Sequence, residues 1–239
     1  MVDVYALETE QHTYSRGADL LTGVAKGFDI VVSDEQNQHW QNMFHAMHEL
    51  DAILDSDEPF DARSAKYDEA LGLISGQAHE GCIGCYACNL KAFTASASGL
   101  VLEKFVLNAD RIKYLGEERR AANKASTLGA VAIEEGKLSA ELLELDSSTK
   151  ASLRFNSWLG NVGIVGALFD TTIDLPSDYD TGLTQVRPTL KNRLVLASMS
   201  TPYATRVVRH IKPSMIPAFA KALSAVSDDQ TKDLIRLAA

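Results

Sequence analysis

Apolar residues recur along this chain at intervals of three and four, and few runs alternate in the manner of a strand. Trp40, Met43, Phe44, Met47, Leu50 and Leu54 form one such stripe. It predicts a helix that opens at Ser33, where Ser33 and Gln36 fit the S-x-x-Q capping box, and stops before Pro59. The same periodicity predicts helices over about 62–75, 89–113, 117–135 and 139–145, with breaks at Gly116 and Gly136. A longer helix is expected over about 149–175. Gly160, Gly163 and Gly166, three apart, would give it a side that another helix can approach closely, and Pro176 would end or kink it near Asp174. Shorter helices are expected over about 188–201, 203–211, 214–225 and 227–238, separated by Pro or Ser. No repeat, low-complexity tract or linker interrupts the pattern. The expectation is one all-α domain over residues 1–239, an antiparallel helical bundle.

Two groups of acids break the hydrophobic logic. In HELDAILDSDE, Asp51 and Asp55 are one turn apart and continue the spacing of Trp40, Phe44 and Met47. In FDTTIDLPSD, Asp170, Asp174 and Asp178 recur every fourth residue directly after the apolar run NSWLGNVGIVGAL. Carboxylates are costly to bury unless they are paired, hydrogen-bonded or bound to a cation. Two acidic faces that meet across a cavity could hold Mg2+, a hard cation that often takes only one or two carboxylates and completes its shell with phosphate oxygens and water. Such a cluster binds a diphosphate and stabilises its charge as it leaves. The competing reading is that each i,i+4 acid pair is a solvated face or a partner for Lys and Arg.

Composition narrows the classes. With 239 residues and 46% hydrophobic content the chain can bury a full core. A net charge of -9 argues against a nucleic-acid binder or an anionic-membrane binder, though a local basic cluster could still grip a small anion. The N-terminus MVDVYALETEQ lacks the basic-then-apolar pattern of a signal peptide, and no apolar run is long enough to span a bilayer. A cytoplasmic protein that does not span a membrane is expected.

On the acid spacing, the sequence resembles the class I isoprenoid synthase superfamily, which includes terpene synthases and squalene and phytoene synthases. That family's first aspartate-rich motif would fall at Asp51–Asp55, with Asp57 and Glu58 trailing and no adjacent Asp-Asp pair. Its second would fall on DTTIDLPSD, and the DYDTGLTQVRP that follows is similar to the tail after the second motif in squalene and phytoene synthases. The resemblance implies an isoprenoid synthase type of bundle and a terpene synthase-like lyase acting on a prenyl diphosphate. It implies Mg2+ held by Asp51, Asp55, Asp170, Asp174 and Asp178. Substrate-binding positions would be Arg119, Arg120 and Lys124 in GEERRAANK, and Arg187, with Lys191 and Arg193 nearby. Tyr203, Arg206 and Arg209 are the candidates for the paired aromatic and basic residues near such an enzyme's C-terminus. Ionisation would leave an allylic cation among apolar walls, for which Trp40, Phe44, Met47, Trp158 and Phe169 are candidates, since aromatic faces stabilise cations. The cation would be cyclised or quenched. Coupling to a second isoprenoid unit, as in a prenyl transferase, is the alternative, and a homodimer stays open.

A different chemistry is written in HEGCIGCYACN. Cys82, Cys85 and Cys88 form C-x-x-C-x-x-C, which resembles the start of a bacterial ferredoxin run, but Ala92 and Phe93 stand where the fourth cysteine and proline belong. Three cysteines with His79 or Asn89 could hold an Fe–S cluster, and with His79 a zinc ion. They could equally be small hydrophobes at a helix start. A noncatalytic helical interaction protein, with both acid faces solvated, is the third reading.

Overall fold

A computed structural model of the chain describes residues 17–54, 60–74 and 99–218. Asp55, Asp57, Glu58, His79, Asn89 and the cysteines Cys82, Cys85 and Cys88 lie outside the described residues, as do the helices expected beyond 218. Every regular element among the described residues is helical. No described helix is long and apolar enough to cross a membrane.

The first helix, α1, covers residues 17–27. Its chain reverses through Asp29, a non-glycine residue at φ 66, which an aspartate tolerates better than most because its short polar side chain bonds locally. Helix α2, Asp34–Leu54, starts where the capping box predicts, with the Gln36 amide donating to Ser33 Oγ at 3.1 Å. Its stripe turns inward. Trp40 and Met43 are fully buried, Phe44 and Met47 pack against the same core, and the Trp40 indole donates to the Leu143 carbonyl at 2.9 Å. Helix α3, Phe60–Ile74, returns against it, and its Tyr67 hydroxyl donates to the carbonyl of Ala109 at 2.9 Å.

Helices α4, Gly99–Ala121, and α5, Ala125–Leu142, run antiparallel. Lys104 Nζ donates to Glu141 O, Asn108 Nδ2 to Leu138 O, and Arg111 pairs with Glu134, like rungs between them. Neither Gly116 nor Gly136 breaks its helix, contrary to expectation. The chain breaks instead at 122–124 and 143–149. A glycine in a helix interior costs about 1 kcal/mol, which burial of its neighbours readily offsets. Gly136 has a packing role: a Cβ there would run into the backbone of Gly163.

Helix α6, Lys150–Asp180, is opened by a capping box in which Thr149 Oγ1 accepts from Ser152 N at 3.0 Å. It continues through Pro176, so the proline does not end it. Buried Thr171 and Leu175 on one side of the proline and Asp178 on the other are held by tertiary contacts, and these outweigh the one lost backbone bond. The actual stop is Gly182 at φ 78, where Leu183 N reaches back to Asp178 O at 2.7 Å. Helix α7, Leu190–Arg209, likewise continues through Pro202, so the two short helices expected here are one. Pro202 and Ser198, one turn back, are both exposed, so water can serve the carbonyl that the proline leaves unbonded.

Among the described residues the largest core gathers α1, α2, α3, the start of α4, the end of α5 and the first turns of α6, and is rich in rings: Phe28, Trp40, Tyr67, Phe105, Phe155 and Trp158. Phe28 meets Phe155 edge-on at 5.8 Å. Smaller aliphatic clusters lie between α4 and α5, at Leu115, Val131 and Leu138, and between α5, α6 and α7, with Leu128, Leu175 and Leu196 in one and Ala132, Ile164 and Leu168 in the next.

Candidate functional site

Where the second half of α6 passes α4 and α5, the helices leave a cavity of about 440 Å³. Three periodicities build it. On α4, Lys113, Gly116, Arg119 and Arg120 come round at helical spacing; on α5, Glu135, Gly136 and Ser139; on α6, Gly163, Gly166, Ala167, Asp170, Asp174 and Asp178. Small residues leave the space. A Cβ added at Gly116 or Gly166 would meet no heavy atom within 4 Å, whereas Gly163 and Gly136 touch backbone to backbone. Of the three glycines expected to admit a neighbouring helix, Gly163 does so. Gly166 instead faces open space, as does Gly160.

Charge organises the wall. Arg119 donates from Nη1 to Asp178 Oδ2 at 3.0 Å, and from Nη2 to Glu135 Oε2 and Thr171 Oγ1, both at 2.9 Å. Three helix segments are tied by one guanidinium in a fork geometry that lysine could not reproduce. Burial by itself would lower the Arg119 pKa, but Glu135, followed by Asp178 and Asp170, overcomes it and holds the group charged well above its ordinary value. Arg120 is shifted the other way. Partial burial, then repulsion from Arg63 on α3, lowers its pKa, with Glu117 opposing. Lys113 pairs with Asp68 on α3, at 2.6 Å. Asp170 and Asp174 line the same space from α6, and both are exposed.

The acids of α6 and the arginines of GEERRAANK, about fifty residues apart in sequence, thus line one cavity. Other expected residues lie elsewhere. Lys124 is exposed at the start of α5 and Arg187 is exposed in the loop before α7, and neither lines the cavity. Trp158 and Phe44 belong to the ring-rich core, the latter against Gly17. Phe169 is half exposed on the outside of α6. No aromatic side chain is among the described lining. Asp51 sits in the last turn of α2, where only its backbone is described. Glu135, Thr171 and Lys113 were not singled out from sequence. Glu135 is adjacent to Glu134, which makes surface pairs with Lys137 and Arg111, and nothing in the string EEGK separates the two.

Among the described residues, no three His, Cys, Asp or Glu side chains converge closely enough to hold a metal by themselves. Asp170 and Asp174, one turn apart on α6 and both exposed, are two carboxylates of the kind a hydrated cation takes when water and ligand oxygens complete its shell. Comparison with known proteins returns no family model, no curated protein and no solved structure that matches this chain.

Proposed function

We propose that this cavity binds the diphosphate of a small molecule and that the chain is an Mg2+-dependent, class I terpene synthase-like enzyme with a bundle of the isoprenoid synthase type. One observation carries the reading: Asp170 and Asp174 line the same cavity as Arg120 and Lys113. Carboxylates and cations lining one cavity suit a ligand that is anionic and metal-bridged at once. A volume of about 440 Å³ is in the range of small-molecule sites.

Asp170 and Asp174 would hold the metal, with Asp51 and Asp55 as the opposing pair. Bound Mg2+ supplies charge neutralisation as diphosphate departs. Arg120 would orient the diphosphate by direct hydrogen bonds, while Lys113, held by Asp68, adds positive charge to the same wall. Arg119 does not reach for the ligand. It holds Asp178 and Glu135, and so sets the rotation of α6 that presents Asp170 and Asp174. Ile112, Ala167 and Leu183 supply apolar lining for the start of the hydrocarbon chain. The test is diphosphate release from geranyl, farnesyl and geranylgeranyl diphosphates with and without Mg2+, with organic products identified by mass spectrometry. Metal-dependent release, lost in Asp170→Asn and Asp174→Asn, is expected. Absence of release from all three substrates, with or without a second isoprenoid present, ends the reading.

A further inference from the structure

The charge of the chain is unevenly placed. All 32 Asp and Glu residues lie outside residues 181–227, a stretch that contains Arg187, Lys191, Arg193, Arg206, Arg209 and Lys212. Most of these cations belong to α7 or flank it. The helix has two faces. Leu196 is fully buried and packs with Met199 and Tyr203 toward α5 and α6. On the opposite side Leu190, Leu194 and Val208 are 74%, 59% and 64% exposed. Together with Ala197, Thr201 and Ala204 they recur at intervals of four and three, the spacing of a coiled-coil seam. Lys191 and Arg193 flank the seam on its two sides near its start, and Arg209 lies beside its end. None of these three makes an ion pair among the described residues. Arg206 is occupied over the Tyr203 ring, 5.6 Å from its centroid, and Lys212 reaches Asp29 at 3.4 Å.

We infer that the outer face of α7 docks an acidic amphipathic helix of a partner protein. The seam supplies apolar positions for the partner's leucines, and its small central residues, Ala197 and Thr201, permit close approach. The flanking cations select acidic residues at the partner's edge positions. A second copy of the same helix is disfavoured, because it would set Lys191, Arg193 and Arg209 against cations. A nucleic acid would leave the apolar centre of the face unused. A bilayer surface calls for bulky or aromatic side chains along the stripe, which has none in its middle, and an anionic one would repel the acidic remainder of the chain.

The experiment uses the full chain and a fluorescently labelled helical peptide of three heptads, with leucine at the seam and glutamate at both edge positions. A peptide with the same seam and lysine at the edges is the control. Saturable binding of the acidic peptide is expected, weakened about 10-fold or more by Leu194→Asp and by high salt. The double variant Lys191→Glu, Arg193→Glu should lose the acidic peptide and gain the basic one. Unchanged far-ultraviolet circular dichroism would confirm that these surface variants fold. Failure to bind the acidic peptide, or equal binding by Leu194→Asp, overturns the inference. So does binding to phosphatidylcholine–phosphatidylserine vesicles in place of the peptide, or a homodimer in light scattering that Leu194→Asp dissolves.

Discussion

Helix α6 is one continuous element in two environments. Its first turns carry Phe155, Trp158 and Leu159 into a core of rings that fill space. Its later turns carry Gly163, Gly166, Asp170 and Asp174 along a cavity that is kept open. The same helical period serves both ends, and only the side chains differ. Where the helix stabilises the fold, it spends volume. Where it faces the candidate site, it withholds volume and supplies charge. Stability and ligand binding are therefore separable along a single helix, and substitutions can pull them apart.

The largest effect belongs to the ring-rich end. Trp158→Ala should lower unfolding free energy by about 3–5 kcal/mol, measured by denaturant titration, while Phe169→Ala, on the exposed side of the same helix, should stay within about 0.5 kcal/mol. Next is the charge cluster at the cavity end, where Arg119 holds Thr171, Asp178 and Glu135. Arg119→Met leaves Asp178 and Glu135 without their shared partner, each mostly buried, and should cost on the order of 3 kcal/mol, with Arg119→Lys restoring part of it. A comparable stability loss from Trp158→Ala and Phe169→Ala would erase the contrast on which the two-ended description of α6 rests.

At the open end the signs reverse. Gly166→Leu points into empty space, so stability should hold within about 1 kcal/mol while Mg2+-dependent diphosphate binding, followed by calorimetry, disappears. Asp174→Asn should be milder still on stability and yet reduce turnover by about 100-fold or more, because an exposed acid contributes little to folding and its proposed role is in the reaction. The smallest effect lies back in the first half of the molecule. Partial burial on α2 lowers the His39 pKa from its usual 6.5. The folded state then binds fewer protons than the unfolded one as pH falls below 6.5, so stability should decline over that range until the lower folded pKa is passed. His39→Gln should flatten that slope in denaturant titrations between neutral and mildly acidic pH.

How much of this was legible beforehand differs between the same two regions. The start of α2 was, because Ser33 and Gln36 act locally and the stripe from Trp40 to Leu54 is long and regular. The helical path of α6 was legible up to Leu175, whereas the basic run around Arg119 was singled out only through the family resemblance, and its ion pair with Asp178 depends on how two distant helices meet. The glycines and prolines misled. Gly116, Gly136, Pro176 and Pro202 read as breaks because local propensity disfavours them within helices. Contacts from distant sequence outweigh that at Gly136 and around Pro176, whereas Gly116 faces open space and Pro202 is exposed, and there the helix runs on through its neighbours. Aromatic residues misled for a related reason. Trp158 and Phe44 are as suited to a cavity wall as to a core, and periodicity states which face they share but not what that face meets. Glu135 was invisible because its role depends on Arg119 arriving from another helix.

The contact of Gly136 with Gly163 also has a mechanical meaning. Backbone laid against backbone leaves no slack, so the spacing of α5 and α6 at this crossing is set by peptide atoms and not by side chains that can rotate away. Asp174 stands about 16 Å further along α6. A single methyl group at the crossing would have to push the two helices apart, and the wall that carries Asp170 and Asp174 would move with α6 relative to Glu135 on α5.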